Sequence, residues 1–206
     1  MTLRSALLHP LAKPLVFVLC LLPLAWLVWG AATDQLGANP AEALIRGLGD
    51  WTLRFLCLAL AVTPLRLHTR TPQLARYRRM LGLFVFFYAC LHLLAYGWLD
   101  MGLQVADIGR DILKRPFILV GFACWLLLLP LALTSTNRAV RALGGRAWQT
   151  LHRLVYLVAG LALLHFFWMR SGKNDYAEVA LYAAIIGVLL LERLFRYLKP
   201  RGVASR

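Results

Sequence analysis

Apolar residues occur in long blocks along this chain, and the segments between the blocks hold most of the charges. A helix that crosses a bilayer needs roughly 17 to 25 mainly apolar residues, because each residue adds about 1.5 Å. Six blocks reach that length. They predict membrane helices at approximately 14–30, 51–67, 80–99, 116–134, 148–168 and 179–198. A cleaved signal peptide is the alternative for the first block, but its length and the terminal Trp26 and Trp29 favour a retained helix.

The overall composition agrees with this pattern. The chain has 206 residues, of which 61% are hydrophobic and 16% charged, and its mean hydropathy is +0.67. A soluble domain of this size cannot hide so much apolar surface in one core, whereas membrane helices expose it to lipid. We therefore predict an all-α integral membrane protein, a six-transmembrane-helix bundle that forms one domain over 1–206.

Positive charge alternates along the chain and predicts the orientation of the helices. The net charge is +14, and Lys and Arg concentrate at the N-terminus, after the second and fourth blocks, and at the C-terminal end. Because such residues stay on the cytoplasmic side, both termini are predicted to be cytoplasmic. We attribute the basicity to topology rather than to nucleic-acid binding, since the clusters adjoin membrane helices. The clusters are Arg4 and Lys13; Arg66, Arg70, Arg76, Arg78 and Arg79; Arg138, Arg141 and Arg146; and Arg193, Arg196, Lys199, Arg201 and Arg206.

Three histidines lie inside the predicted membrane helices. An ionisable side chain in a membrane helix usually faces the bundle interior and has a partner or a function. The third and fifth helices run in the same direction, so His92 and His165 both fall in the outer half of the membrane. His152 falls near the cytoplasmic face. The sequence thus predicts one facing pair and one separate histidine.

The residues around the histidines favour haem b over other cofactors. Four separate cysteines form no CxxC pair, and Glu192 is the only carboxylate in the six core blocks, so zinc, di-iron and proton-relay sites lack ligands. Haem needs one or two axial histidines, an apolar slot and cations near its propionates. The candidate slot residues are Phe84, Phe86, Phe87, Phe166 and Phe167; the candidate cations are Arg78, Arg79 and Arg153 at the inner end and Arg110, Lys114 and Arg115 at the outer end.

The number of haems stays open at this stage. His152 and His165 are 13 residues apart, or about 20 Å along a helix, enough for two stacked haems. On an ideal straight helix, however, their side chains point about 140° apart, which a tilt or local bulge would have to reconcile. A symmetric inner site would also need a histidine near Arg78 or Arg79, and His68 is the only substitute nearby.

Four segments carry a family resemblance. RRMLGLFVFFYACLHLLAYGW, DIGRDILKRPFILVG, LPLALTS and RAWQTLHRLVYL, in this order, resemble the MsrQ (YedZ) family, and more widely the ferric reductase and NADPH oxidase transmembrane domain. The resemblance extends from the first to the sixth helix. The chain departs from the wider pattern at Arg78, and no soluble FAD and NADPH domain follows Leu198.

The resemblance implies a haem b electron-transfer subunit of the bacterial inner membrane, non-catalytic by itself. It implies electrons passing from the quinone pool to MsrP, a periplasmic molybdopterin reductase that repairs methionine sulfoxide. FMN and a cytosolic flavin reductase are also implied. At the family's positions, His92, His152 and His165 are expected to be haem iron ligands, while Arg78 and Arg79, with Arg76, are candidates for the FMN phosphate. The alternatives are a stand-alone ferric or quinone reductase-type cytochrome b and a transporter or scaffold with packing histidines.

Overall fold

A computed structural model of the protein describes residues 7–171 and 175–198, and these residues form helices with no strand among them. A 3₁₀ turn, Pro72–Leu74, precedes the third helix, and a π-helical turn, Tyr96–Asp100, follows it. The predicted cytoplasmic residues Arg4, Lys199, Arg201 and Arg206 lie outside the described residues. The helices are α1 Ala12–Ala32, α2 Pro40–His68, α3 Ala75–Ala95, α4 Val105–Lys114, α5 Pro116–Leu133, α6 Asn137–Leu143, α7 Gly145–Leu151, α8 Leu154–Ser171 and α9 Ala177–Leu198.

Among residues 7–171 and 175–198, five helical segments are long and apolar enough to cross a membrane, so the protein is a multi-pass membrane protein. They are Ala12–Ala32, Pro40–His68, Pro72–Asp100, Pro116–Leu133 and Gly145–Ser171. They coincide with the first five predicted blocks. The sixth block is helical too, as α9, but every 18-residue stretch of it holds three ionisable carboxylate or guanidinium side chains. Composition by itself therefore does not mark α9 as a span, and the sixth crossing stays a prediction.

The second helix begins well before the predicted residue 51. Asn39 caps α2 by accepting a hydrogen bond from the backbone N of Glu42 at 3.1 Å, and Pro40 occupies the first turn. Both features are typical of helix starts. The early turns of α2 contain the charged residues Arg46 and Asp50. Because these residues lower the local hydropathy, the apolar block begins later than the helix does.

The predicted fifth helix is broken. α7 ends at Leu151, a turn at His152 and Arg153 follows, and α8 begins at Leu154. At the break, the indole of Trp148 donates to the Thr134 carbonyl at 2.9 Å, and the His152 ring stacks on Trp148 with centroids 3.9 Å apart. The helix is therefore interrupted between His152 and His165, and the angle of about 140° that applies to an ideal straight helix does not apply to these two side chains.

The helices pack as two antiparallel pairs that face each other. α2 lies along α3, α5 lies along α8, and α3 contacts α5. α9 packs on both α2 and α8, and α1 packs on α2 and α3. The hydroxyl of the fully buried Tyr88 lies between the Cys20 carbonyl and the Leu24 amide of α1, at 2.9 and 3.0 Å, and ties α1 to α3. This arrangement leaves the space between the two pairs for a site.

Candidate functional site

His92 on α3 and His165 on α8 meet in a cavity of about 860 Å³ between the two helix pairs. Their ring centroids are 6.2 Å apart and the ring planes make an angle of 74°. Two imidazoles that bind opposite sides of one metal ion, with metal–nitrogen bonds of about 2.0 Å, have ring centroids about 6.3 Å apart. The pairing expected from the sequence is present, at a spacing that suits a shared metal ion.

Each of these rings is held by a backbone carbonyl of the adjacent helix. Nδ1 of His92 lies 2.8 Å from the Ile45 oxygen of α2, and Nδ1 of His165 lies 2.6 Å from the Phe117 oxygen of α5. A carbonyl oxygen only accepts, so Nδ1 carries the hydrogen and donates it in both cases. The lone pair of each neutral ring is then on Nε2, the atom through which such a histidine binds metal.

A glycine follows each of these carbonyls one helical turn later. A Cβ at Gly49 would lie 3.1 Å from Cε1 of His92, and a Cβ at Gly121 would lie 2.8 Å from Cε1 of His165. Only glycine lets the rings lie this close to the helix backbone. We call Ile45 with Gly49 the α2 cradle, and Phe117 with Gly121 the α5 cradle.

The sequence offered almost no signal for the cradles. Glycines in membrane helices are common at sites of close helix packing, so nothing in the sequence distinguishes Gly121 or Gly49 from the others. The pattern is a residue of any type followed four positions later by glycine, and it is too common in proteins to indicate a site. Only the packing of α2 on α3 and of α5 on α8 gives it a function.

The cavity wall is aromatic, but it differs from the predicted slot. Of the five phenylalanines expected there, Phe166 is the one that lines the cavity. Phe84 packs against Phe17 and Phe55 in the core, and Phe87 and Phe167 are exposed on the outside of the bundle. The aromatic residues that line the cavity also include Phe117, Phe122, Trp125 and Trp168.

One end of the cavity is polar and contains two arginines, Arg46 and Arg115. Arg115 is held by ion pairs with Asp111 and Asp100, and its guanidinium keeps the pKa of the Asp111 carboxyl below its usual range. The Tyr96 hydroxyl donates to the same carboxylate at 2.5 Å. Nε of Arg115 is buried and has no hydrogen-bond partner among the described residues. The cavity end therefore has an oriented cation with an unused donor.

The other predicted outer cations are elsewhere. Arg110 and Lys114 do not line the cavity, and the Arg110 side chain is 82% exposed. Arg46, which the sequence reading missed, pairs with Glu42 four residues earlier. It was missed because it lies in the part of α2 that was predicted to be a loop.

His152 lies apart from the pair, in a second cavity of about 280 Å³ that Arg78 and Arg79 also line. Its Nε2 is 3.2 Å from the Thr134 hydroxyl. The two cavities share the side chains of Leu56, Val85 and Leu128 and lie end to end along the bundle. We call them the outer cavity, with His92 and His165, and the inner cavity, with His152.

His68 was the substitute considered for a second inner ligand, and its position does not fit that role. Its Nε2 lies 2.7 Å from a Glu192 oxygen, and its side chain is 68% exposed. It does not line the inner cavity.

The donor set of the outer cavity restricts what can bind there. No group of three or more histidine, cysteine, aspartate or glutamate side chains in the described part of the chain could hold a bare metal ion. Two imidazoles that no third such side chain joins suit an iron that brings its remaining ligands in a macrocycle. The two cradles, the shared ring spacing and the unpartnered Arg115 Nε all fit a haem, whose propionates need a cation.

Comparison with known proteins agrees with this chemistry. The chain matches the family described as ferric reductase like transmembrane component over residues 47–163. It is 66% identical over 191 residues to the protein-methionine-sulfoxide reductase heme-binding subunit MsrQ of Polaromonas naphthalenivorans, a match that covers 93% of this chain and 87% of that protein. The chain belongs to the MsrQ family.

Further MsrQ proteins are similarly related. The MsrQ of Herminiimonas arsenicoxydans is 52% identical in a match that covers 90% of this chain and 85% of that protein. The MsrQ of Ralstonia nicotianae is 55% identical in a match that covers 85% of this chain and 81% of that protein. No solved structure matches the chain. The ferric reductase-like segment contains His92, His152 and both cradle glycines, and ends two residues before His165.

Proposed function

We propose that this protein is the haem-binding membrane subunit of a methionine sulfoxide reductase system and conducts electrons through the membrane. The observation that carries the proposal is the outer cavity, where His92 and His165 face each other with both Nε2 lone pairs free. The relatives named as heme-binding MsrQ subunits support it. The cavity volume of about 860 Å³ falls in the range of roughly 300 to 1,000 Å³ usual for cofactor sites.

In this proposal His92 and His165 would hold the iron of one haem b through their Nε2 atoms. The haem iron supplies a site that gains and loses single electrons. The cradles fix the orientation of both imidazoles, and the Nδ1 hydrogen bonds raise the basicity of Nε2. The aromatic residues of the wall would pack against the macrocycle, and Arg115 and Arg46 would pair with its propionates. His152 as the ligand of a second haem stays a prediction.

The finer topology is part of the same proposal. We infer a bacterial inner-membrane protein with six membrane helices, a single domain over 1–206, and both termini in the cytoplasm. α9, at the place of the sixth span, and the basic residues around the inner cavity support it. In this orientation the outer cavity faces the periplasm.

The electron route is proposed from the family and from this orientation. Electrons enter from the membrane quinone pool, or through FMN and a cytosolic flavin reductase, and leave to an MsrP-type periplasmic molybdopterin reductase. α4 supports an external docking partner because none of its residues is buried and it lies beside the mouth of the outer cavity. The protein then acts as an electron-transfer subunit rather than as a stand-alone ferric or quinone reductase.

An absorption spectrum of the purified protein tests the function. Protein produced with ample haem supply is expected to show b-type Soret and alpha bands that sharpen on addition of dithionite, with at least one haem per chain. Folded protein without reducible bands would contradict the proposal. If haem is present, quinol oxidation in membranes with and without the partner reductase separates a subunit from a self-sufficient reductase.

Arg115→Gln is expected to weaken haem retention. One charge-assisted hydrogen bond contributes about 1.5 to 3 kcal/mol, so transfer of haem to an acceptor apoprotein should become roughly tenfold faster or more. The matched control is Arg110→Gln, which removes the same charge from the same segment at an exposed position. Equal rates of haem transfer for the two variants would contradict a role of Arg115 in haem binding.

A further inference from the structure

The short helix α4 is held close to the membrane surface, because the chain on both sides of it crosses the membrane. Four residues separate it from the end of the segment Pro72–Asp100, and Arg115 alone separates it from the segment that begins at Pro116. Each connecting residue extends the chain by at most about 3.6 Å, so α4 cannot move far from the ends of these segments. It therefore lies near the level at which lipid head groups meet acyl chains.

The residues of α4 divide into three sides around the helix. At about 100° per residue, Ile108 and Asp111 share an arc of about 60°, which we call the protein side. A second arc of about 60°, the polar side, contains Asp107, Arg110 and Lys114. The remaining five residues are all apolar and form the apolar side, which consists of Val105, Ala106, Gly109, Ile112 and Leu113.

The protein covers α4 along the protein side. A Cβ at Gly97 would lie 3.4 Å from Cδ1 of Ile108. Asp111 pairs with Arg115, which lines the outer cavity. Ile108, Asp111 and the neighbouring Ile112 are partly covered, and the other seven residues of α4 are exposed. These contacts fix the direction in which the other two sides of the helix face.

The apolar side has little cover from the described residues. Val105 is 81% exposed and Leu113 is 77% exposed, although both are large apolar side chains. Leu103, in the turn before α4, and Trp98, at the end of the preceding segment, are exposed as well. Tryptophan is enriched where membrane proteins meet the head-group region. An apolar surface at this level of a membrane protein favours contact with lipid over contact with water.

We propose that the apolar side of α4 lies in the lipid, at the boundary between head groups and acyl chains. The helix then runs along the membrane surface, with Val105 and Leu113 in the lipid and the polar side in water. Amphipathic helices bound in this way bury their apolar side by about 5 to 10 Å. The lipid contact does not depend on the proposed function, and only its assignment to the outer leaflet rests on the proposed topology.

This contact has two consequences for the outer cavity. Lipid would hold α4 in place beside the cavity mouth, and α4 in turn holds Arg115 through Asp111. Because lipid occupies the apolar side, a periplasmic partner would reach α4 only from the polar side, which presents Arg110 and Lys114.

Quenching of a fluorescent label by brominated lipid tests the proposal. Leu113→Cys and the matched control Arg110→Cys are made in a full-length chain that also carries C20A, C57A, C90A and C124A. Each new cysteine is labelled with bimane, and the protein is reconstituted into phosphatidylcholine vesicles with or without bromine on the upper acyl carbons. Arg110 lies three residues from Leu113 on the polar side, and its side chain is also exposed.

We expect quenching by the brominated lipid to be roughly twofold or more stronger at position 113 than at position 110, because only the apolar side enters the acyl region. Equal quenching at the two positions would overturn the proposal. The comparison needs no bound haem, so its outcome is independent of the haem proposal.

Photo-cross-linking gives a second measurement that keeps the native cysteines. Val105→p-benzoylphenylalanine, Leu113→p-benzoylphenylalanine and the control Arg110→p-benzoylphenylalanine are irradiated in native membranes, and the adducts are identified by mass spectrometry. Phospholipid adducts at positions 105 and 113 that exceed those at position 110 support the proposal. Adducts mainly with a second copy of the chain or with another protein would overturn it, and so would equal lipid adducts at all three positions.

Discussion

Replacement of His92 or of His165 by Ala is expected to remove the contribution of the outer-cavity haem to the b-type absorbance, while His152→Ala leaves that haem in place. The Nε2 atoms of His92 and His165 each have a free lone pair. No third histidine lines the outer cavity in the described part of the chain. With one imidazole removed, the chain would hold the haem iron through a single histidine. The Soret band of such a haem would shift, and the haem would be lost more readily during purification.

The measurement is the haem-to-protein ratio together with the reduced-minus-oxidised spectrum. A second readout separates a missing ligand from misfolding, because imidazole added to the medium fits the space that the Ala variant leaves and should restore part of the low-spin spectrum. His152→Ala is the matched control, a membrane histidine whose Nε2 already contacts Thr134. Normal spectra for both His92→Ala and His165→Ala would refute the ligand assignment.

Gly121→Ala is expected to have the next largest effect, and Gly49→Ala a smaller one in the same direction. A methyl group at Gly121 would lie 2.8 to 2.9 Å from Cε1 and Nδ1 of His165, whereas one at Gly49 would lie 3.1 to 3.3 Å from the same atoms of His92. Contacts below about 3.0 Å force a shift, so the His165 ring must move away from α5 and lose its bond to Phe117. Alanine favours helix more than glycine does, so damage cannot come from helix propensity.

The expected result is a change in the low-spin electron paramagnetic resonance signal and in the reduction potential of the haem, larger for Gly121→Ala than for Gly49→Ala. Gly160→Ala is the control, since it changes the same type of residue on the helix of His165 and its methyl would meet nothing within 4 Å. A purely structural effect would lower the yield of folded protein and leave the signal unaltered. If Gly121→Ala and Gly160→Ala gave identical signals, the α5 cradle would not position His165.

The two cradles hold the histidine rings through backbone carbonyls rather than through carboxylate side chains. Each histidine needs one acceptor to hold its tautomer, and a helix carbonyl provides it without introducing a carboxylate into the membrane. The carbonyls and the glycines lie on α2 and α5, and the two histidines lie on α3 and α8. Each histidine is thus positioned by the helix that packs most extensively on its own helix.

Much of the fold was predictable because block length and charge are local properties of a chain. The first five membrane segments were predicted near their observed positions, and the residue type and depth of His92 and His165 predicted that they pair. The predictions failed where polar residues continue a helix, as in the first turns of α2. They also did not locate the turn at His152 in the fifth segment, where Trp148 and His152 contact Thr134 at the end of α5.

The sequence by itself determined that this is a multi-pass membrane protein of the MsrQ family with histidines in the bundle, because hydropathy, charge position and motif order are written along the chain. The tertiary structure alone decided how those histidines are held. Ile45 and Gly49, or Phe117 and Gly121, are distant in sequence from the ring that they support. It also separated the pair from His152 and gathered arginines of three helices around one cavity. The packing of the helices determines these contacts, and no local sequence pattern predicts them.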